Sequence, residues 1–290
     1  MRRVSPEIEA LIDRALAEDL SIGDPTTEAL IPPDMQGRAC IVAKADGVVA
    51  GVDVALAVFS RWDPSLTTRA IVPDGTQVVA IDVERSQVAE VEGNVASILM
   101  AERTALNFVQ RLSGIATQTR RYVDEVTGHR ARIVDTRKTT PGLRTLEKYA
   151  VRVGGGRNHR RSLGDGILIK DNHIEALRSS GAGIAQAVER ARANASHTIN
   201  IEVEVEDPDQ VAEALEAGAG ILLLDNMSVK EMAEAVRLAR GKAVTEASGG
   251  ITLANVREVA ATGVDIISVG GLTHSLKALD LSLELQGVRN

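Results

Sequence analysis

Aromatic residues are scarce in this 290-residue sequence, which contains two phenylalanines, two tyrosines and one tryptophan. Proteins that bind single-stranded nucleic acid usually stack bases on aromatic side chains, so that mode of binding has little support. The net charge of −7 also argues against a protein that follows a phosphate backbone. We therefore expect no nucleic-acid partner.

Cysteine is limited to Cys40, and long hydrophobic runs are missing. A single cysteine excludes an internal disulfide and a multi-cysteine metal site, and it fits a reducing compartment. Charged residues interrupt the segment that follows Met1, and no stretch approaches the length of a membrane span. These absences favour a cytoplasmic enzyme or binding protein without a membrane partner.

Cations, in contrast, are concentrated in three short segments of an otherwise acidic chain. The segments are 135–145, 158–161 and 167–173, and their cationic or potentially cationic residues are Arg137, Lys138, Arg144, His159, Arg160, Arg161, Lys170 and His173. Local positive charge on an acidic background predicts a substrate that carries several negative charges.

Hydrophobic spacing indicates two domains. A helix begins at Ser5-Pro6, and an apolar helix at 54–59 lies among short β-like runs, which indicates a small open α+β sandwich domain. The β-like runs are 39–43, 47–50 and 78–83. A long helix capped by Asn94 follows, and the alternating segment 281–285 is expected to return to the first domain as a strand. The predicted domains are 1–112, joined by 275–290, and 113–274.

Beyond residue 130, apolar strands alternate with amphipathic helices. The predicted strands are 132–135, 166–169, 200–205, 220–224, 243–246 and 264–269, and the predicted helices are 145–152, 184–193, 208–217, 229–240 and 252–261. Repeated βα units predict a parallel sheet, and six strands mean either an incomplete α/β barrel or two further strands with weak signals. The alternative is an open doubly wound sheet, which would need a first-strand glycine fingerprint that we do not find.

Polar residues follow the ends of these strands, where a parallel barrel collects its chemistry. They are Asp135, Lys170, Glu204, Asp225, Glu246, Ser248 and Gly270. The run 201–206 alternates apolar residues with glutamate, which is typical either of a strand facing a barrel interior or of an exposed edge strand. Flanking βα units favour the interior. Asp225 is a natural partner for Glu204 in holding Mg²⁺ or ribose hydroxyls, or else a cap of the next helix, for which Ser228 is an equal candidate.

Two glycine pairs follow the last two strands, in Ser248-Gly249-Gly250 and Val269-Gly270-Gly271. Parallel barrels often bind phosphate there through backbone N–H groups, although either pair alone could be a plain turn. The triplet Gly154-Gly155-Gly156 follows a helix and is interpreted as a helix stop.

Histidine spacing does not indicate a zinc site, because neither HxxxH nor HxH occurs. His159, with Arg160 beside it, is interpreted as a hydrogen-bond donor to a carboxylate. The alternative is a basic surface loop, which is the preferred interpretation for Arg161.

The chain resembles the quinolinate phosphoribosyltransferase family almost from end to end. The resemblance rests on motifs at 23–27, 101–107, 110–117, 135–142, 154–160, 168–173, 202–206 and 246–251. It implies a small open α/β domain and an incomplete α/β barrel with few strands. It also implies phosphoribosyl transfer from phosphoribosyl pyrophosphate to quinolinate, with Mg²⁺ as cofactor. The implied products are pyrophosphate, carbon dioxide and nicotinate mononucleotide, a precursor of NAD.

The same resemblance assigns residues to the two substrates. Those implied to hold the quinolinate carboxylates are Arg137, His159, Arg160 and Lys170, with Arg103 supplied by the neighbouring subunit of a homodimer. Those implied to act on the donor are Lys138 and Lys170 at the pyrophosphate, and Glu204 and Asp225 at the ribose hydroxyls and Mg²⁺. The loops Ser248–Gly250 and Val269–Gly271 would bind the 5′-phosphate, and Thr136 and His274 complete the predicted substrate site. Lys138, Lys170, Glu204 and Asp225 are the predicted catalytic residues.

Two other functions compete with this one. The first is a related transferase acting on another pyridine or nucleobase, including a paralogue associated with molybdenum transport clusters. A monoacid acceptor should not need so many cations, which argues against it. The second is a catalytically silent phosphate-binding sensor, which would not need Lys138, Lys170, Glu204 and Asp225 together.

Overall fold

Two units divide the chain, and each is built from separate stretches of sequence. The computed structural model describes residues 4–179 and 181–289. One unit contains the chain up to Gln118, Pro141–Gly154 and the segment from Leu276 onward, and the other contains Thr119–Thr140 and Gly155–Ser275. This division differs from the predicted domains 1–112 and 113–274, because residues 113–118 and 141–154 fall in the first unit.

The helices and strands alternate along most of the chain. In order they are α1 (Pro6–Leu20), α2 (Pro25–Leu30), β1 (Gln36–Ala43), β2 (Gly47–Val48), α3 (Val52–Trp62), β3 (Thr67–Ala70), β4 (Gln77–Val78), α4 (Val83–Ser86), β5 (Gln87–Asn94), α5 (Val95–Glu125), β6 (Arg132–Val134), α6 (Arg144–Val153), β7 (Ile167–Ile169), α7 (Asp171–Arg178), α8 (Ile184–Asn194), β8 (Ile201–Val205), α9 (Pro208–Glu216), β9 (Ile221–Asp225), α10 (Val229–Ala239), β10 (Val244–Ser248), α11 (Val256–Ala261), β11 (Ile266–Ser268), α12 (Gly271–His274) and β12 (Leu281–Arg289).

Helix α6 explains the unexpected boundary. Its buried Leu146, Ala150 and Val151 pack within the first unit. Its Tyr149 hydroxyl donates a hydrogen bond to Asp74 at 2.5 Å, and Asp74 belongs to the same unit. Sequence periodicity identifies a helix here, but it carries no information about which sheet the helix covers.

The first unit is built on an antiparallel sheet with the strand order β12-β1-β5-β3. Strand β12 pairs with β1, which confirms that the segment 281–285 returns to this unit. Cys40 is buried in β1, and burial raises the pKa of its thiol to about 11, as expected for an inert core residue. The predicted strand 78–83 is wrong beyond Val78, because the Asp82 side chain accepts from the backbone N–H groups of Glu84 and Arg85 and starts α4.

The long helix α5 begins as predicted, with the Asn94 side chain accepting from the N–H of Ser97 at 3.0 Å. Leu106, Val109 and Leu112 are buried, whereas Arg103 and Asn107 are exposed. Within the part of the chain that the structure describes, no helix is both long enough and apolar enough to cross a membrane.

The second unit contains six parallel strands in the order β6-β11-β10-β9-β8-β7. From β7 to β11, strands that follow one another in the sequence also pair with one another in the sheet. Strand β6 then pairs with β11 rather than with β7. This is the strand order of a barrel left open between its first two strands. A doubly wound sheet would reverse its strand order at a switch point, so that alternative is wrong.

Candidate active site

A pocket of about 540 Å³ opens at the carboxyl ends of the six parallel strands. Most of the predicted site residues line it, and they are Thr136, Arg137, Lys138, His159, Arg160, Lys170, Glu204, Asp225, Ser248, Gly249 and Gly250. The pocket therefore brings cations from the loops after β6 and β7 together with carboxylates from β8 and β9.

The buried carboxylate of Asp135 positions one of the cationic loops. It directly follows β6 and is fully buried. It accepts hydrogen bonds from the Asn158 side chain at 2.5 Å and from the His159 backbone N–H at 2.9 Å. Asp135 thereby holds the loop that presents His159 and Arg160 to the pocket, although it does not line the pocket itself.

Two guanidinium groups lie near each other at the pocket wall. Arg160 donates a hydrogen bond from Nη1 to the carbonyl of Gly166 at 3.1 Å. Partial burial, followed by the positive charge of Arg137, lowers the pKa of Arg160. A bound anion would relieve this repulsion, because it would offset both positive charges.

Lys170 and Glu204 form an ion pair across β7 and β8, with Nζ 2.8 Å from Oε2. Glu204 is nearly buried, while Lys170 is half-exposed. Strand β8 lies between β7 and β9, so it is not an edge strand, and Glu202 and Glu204 on its inner face are shielded from solvent. The solvated-edge interpretation is wrong for this strand, although Glu206, just beyond it, is exposed.

Asp225 ends β9 beside a backbone of unusual conformation. Asn226 has a φ of 54°, and it is the only residue other than glycine with positive φ among those described. Its side-chain amide donates to Asp225 Oδ2 at 2.7 Å, and its backbone N–H donates to the Ser248 carbonyl at 3.0 Å. Ser228 forms a capping box with Glu231 at the start of α10, so Asp225 is not that helix's cap.

The first glycine loop requires its glycines. Gly249 and Gly250 have φ values of +85° and +62°, in the left-handed region. A Cβ on Gly249 would also collide with the side chain of Asn226. Both glycines line the pocket, as a phosphate-binding loop would.

The second glycine loop, Val269–Gly271, does not line the pocket as the first one does. Val269, Gly270, Gly271 and His274 are not among the residues that line this pocket. Val269 is buried, and the Thr273 hydroxyl donates to the Lys138 carbonyl at 2.8 Å. In the structure this loop supports the backbone of Lys138, and its predicted phosphate contact stays a prediction.

His159 faces two buried glutamates of the protein itself. Its Nε2 lies 3.3 Å from Glu202 Oε2 and 3.5 Å from Glu246 Oε1. Burial and the charge of Glu202 raise the pKa of Glu246 to about 7. Sequence reasoning placed Glu246 at a strand end but missed this cluster. One signal was available, because inward residues from alternate barrel strands share a layer, and β8 and β10 are alternate strands.

Comparison with known proteins agrees with this architecture. The family models for the N-terminal and C-terminal domains of quinolinate phosphoribosyl transferase match residues 24–113 and 115–284. The chain belongs to the quinolinate phosphoribosyltransferase family.

Relatives of this family are similar over almost the whole chain. A probable nicotinate-nucleotide pyrophosphorylase [carboxylating] of Synechocystis is 44% identical over 98% of this chain and 93% of its own length. A quinolinate phosphoribosyltransferase [decarboxylating] of Nicotiana glauca is 41% identical over 96% of this chain and 82% of its own length. The solved nicotinate-nucleotide pyrophosphorylase of Francisella tularensis is 41% identical, with a TM-score of 0.91 over 98% of each chain.

In this member of the quinolinate phosphoribosyltransferase family, five further residues line the pocket that sequence reasoning did not assign to it. They are Leu168, Leu223, Asn226, Glu246 and Ser268. Arg103, in contrast, is exposed on α5 in the first unit and is not among the residues that line the pocket.

Proposed function

We propose that this chain transfers the phosphoribosyl group of phosphoribosyl pyrophosphate to quinolinate and removes a carboxylate, forming nicotinate mononucleotide, pyrophosphate and carbon dioxide for NAD biosynthesis. The observation that carries the proposal is one pocket lined by two guanidinium groups, two lysines and three strand-end carboxylates. A dicarboxylate acceptor and a triply phosphorylated donor need that combination of charges.

Arg137 and Arg160 bind the quinolinate carboxylates. The lowered pKa of Arg160 supports this role, because two guanidinium groups in a partly buried site are stabilised by an anion between them. His159 lines the same part of the pocket, and its nearby carboxylates Glu202 and Glu246 belong to the protein. We propose that His159 shapes the acceptor site.

Lys138 and Lys170 act on the pyrophosphate. Its departure leaves positive character at ribose C1 and negative charge on the leaving group. Lys170 is held 2.8 Å from Glu204, so a cation and a carboxylate lie side by side where charge separates. Glu204 and Asp225 hold the ribose hydroxyls and offset the positive sugar, while the Ser248–Gly250 loop binds the 5′-phosphate.

Mg²⁺ fits the donor side of this site. Glu204 and Asp225 offer carboxylate oxygens, which are the ligands that Mg²⁺ prefers, and both line the pocket. When bound, Mg²⁺ supplies positive charge that offsets the charge of the pyrophosphate.

Decarboxylation follows from alkylation of the ring nitrogen. The nitrogen becomes cationic and draws electrons from the adjacent C2, so the C2 carboxylate can leave as carbon dioxide. No other electron sink is needed. The electron pair that remains on C2 must then take up a proton.

We also propose that the enzyme is a cytoplasmic homodimer and that Arg103 completes the acceptor site of the neighbouring subunit. The exposure of Arg103 supports an interaction outside its own unit, and a single buried cysteine fits a reducing compartment.

The test is to mix the purified protein with quinolinate, phosphoribosyl pyrophosphate and Mg²⁺ and to follow nicotinate mononucleotide, with nicotinate as a parallel acceptor. We expect product from quinolinate alone. Product from nicotinate alone would favour a related transferase. No product from either, with phosphoribosyl pyrophosphate bound, would favour the paralogue or the sensor.

A further inference from the structure

Three side chains of the second unit converge beside the pocket, and two of them, His159 and Glu246, line it. The three are His159 from the loop between α6 and β7, Glu202 from β8 and Glu246 from β10. One nitrogen or oxygen atom from each lies within 4.8 Å of the other two. Both carboxylates are at least nine-tenths buried, and Oε1 of each has no hydrogen-bond partner. Buried carboxylate oxygens without donors are costly when ionised, so this arrangement needs an explanation.

The orientation of His159 argues against a metal ion. The backbone N–H of Arg160 donates to His159 Nδ1 at 2.7 Å, so Nδ1 carries a lone pair. The neutral ring then carries its proton on Nε2, which is the nitrogen that faces both glutamates. A metal ion bound by the three residues would need a lone pair on Nε2 as well.

The two glutamates instead lie side by side, and one oxygen of each has no hydrogen-bond partner. Glu246 is faced by Glu202 from β8, by His159, by Ser268 from β11 and by Asp135 at the end of β6. Glu202 and Asp135 disfavour a second negative charge on Glu246, whereas His159 and a hydrogen bond from Ser268 favour it and offset only part of that effect. A proton on Glu246 removes the repulsion, in agreement with its raised pKa of about 7.

This proton lies in the acceptor half of the pocket. Glu246 lines the pocket. Glu202 and Arg137 are both close enough to Arg160 for their charges to shift its pKa. An ionised Glu246 would repel a dicarboxylate held by these arginines, whereas a neutral acid would not.

We propose that Glu246, as a neutral carboxylic acid, protonates ring carbon C2 after carbon dioxide leaves. The inference rests on the proposed function. The bond between C2 and the carboxylate breaks, carbon dioxide departs, and the electron pair stays on C2. The Glu246 O–H then gives its proton to C2, and the resulting carboxylate regains a proton from water before the next turnover.

The first test follows pyrophosphate and labelled carbon dioxide separately in a single turnover of Glu246→Gln. The amide keeps the size of the side chain but cannot release a proton. We expect pyrophosphate to form at close to the wild-type rate, while carbon dioxide and nicotinate mononucleotide form about 100-fold more slowly. The nucleotide that still carries both carboxylates should accumulate, because unprotonated C2 recaptures carbon dioxide.

Glu206→Gln is the matched control, since Glu206 follows the same strand as Glu202 and is exposed. It should leave both rates unchanged. An equal loss of pyrophosphate and carbon dioxide in Glu246→Gln would indicate a purely structural role and would overturn the proposal, as would unchanged rates of both.

A second test needs no substrates, and its decisive spectrum is that of the wild-type protein. Infrared spectra of the wild-type protein should contain the carbonyl stretch of a protonated carboxylic acid at about pH 6, and the band should weaken as the pH rises through about 7. The band should be missing from Glu246→Gln and present in Glu206→Gln. Its absence from the wild type would refute a protonated Glu246, whether or not the proposed reaction occurs. A wild-type protein that has the band but makes no nicotinate mononucleotide would refute the proposed function and, with it, the role of the acid.

Discussion

Glu147 in the first unit and Glu246 in the second are both buried glutamates, and their surroundings differ in kind. Glu147 Oε1 accepts hydrogen bonds from Nε and Nη2 of Arg111 at 3.0 and 2.6 Å. Glu246 has the exposed fraction of a core residue, yet its Oε1 has no hydrogen-bond partner and its pKa is raised. Glu147 is compensated by the cation of Arg111, whereas Glu246 faces a second carboxylate as well as His159.

The difference separates a structural role from a functional one. A buried ion pair with donors in place holds α6 against α5. A buried acid beside another acid is unfavourable for the fold, and such groups gather where a reaction needs a proton near neutral pH. The same contrast holds for cations, since Arg111 is paired within its unit whereas Arg160 lies near Arg137.

Arg111→Ala tests the structural side of the comparison and should have the largest effect. It removes the guanidinium from a fully buried carboxylate, so the free energy of unfolding should fall by about 3 to 5 kcal/mol. Urea unfolding measures the loss. Arg61→Ala, which breaks the exposed pair with Asp13, is the control and should change stability little. Equal effects of the two changes would contradict the assignment.

Arg137→Ala tests the cationic side of the pocket. Removing a charge-assisted contact and leaving a substrate carboxylate unpaired should weaken quinolinate binding by about 2 to 4 kcal/mol. Arg103→Ala should do the same if the neighbouring subunit supplies that residue. Titration calorimetry measures the affinity, with the exposed Arg161→Ala as control. Unchanged quinolinate affinity in either variant would refute that residue's assignment.

Glu246→Gln tests the raised pKa of the buried glutamate through the free energy of unfolding. The folded-state pKa of about 7 lies above the ordinary value of 4.5, so between these values the folded chain holds a proton that the unfolded chain has released. The contribution of Glu246 to stability is therefore present below about pH 4.5 and is lost as the pH rises to about 7. Relative to the wild type, Glu246→Gln should gain up to about 3 kcal/mol across that window. Urea unfolding at several pH values measures it, and a difference independent of pH would contradict the raised pKa.

Gly249→Ala should have the smallest effect. Both Gly249 and Gly241 have positive φ, so the backbone penalty of alanine at either position should be about 1 kcal/mol of stability, and at Gly249 the side chain of Asn226 must shift as well. Only Gly249 adjoins Asn226 in the pocket, whereas a Cβ on Gly241 would meet open space. The KM for phosphoribosyl pyrophosphate should rise several-fold in Gly249→Ala and stay unchanged in Gly241→Ala. A rise in both variants would show that strain alone is responsible.

Much of the second unit could be predicted from residue patterns. Apolar runs located all six strands, and the rule that parallel strands end at one face placed Lys170, Glu204, Asp225 and Ser248 in one pocket. The alternative role of Asp225 as a helix cap is excluded by Ser228, which caps that helix. The capping box of Ser228 is visible in the sequence as Ser-x-x-Glu.

The remainder depended on contacts between distant segments. The Tyr149 contact to Asp74 and the packing of α6 cannot be found by periodicity, because an amphipathic helix fits either unit. The second glycine pair resembles the first in sequence, yet the Thr273 hydroxyl ties it to Lys138 instead. The cluster of His159 with Glu202 and Glu246 joins alternate strands, so the pattern within one segment does not reveal it, and only the strand order of a barrel brings β8 and β10 together.

The most direct measurement of the central claim is the stoichiometry of the wild-type reaction with quinolinate labelled at its C2 carboxylate. Pyrophosphate, labelled carbon dioxide and nicotinate mononucleotide are counted in the same sample. We expect one labelled carbon dioxide and one nicotinate mononucleotide for each pyrophosphate released. Pyrophosphate released without labelled carbon dioxide, or a product that keeps the label, would contradict it.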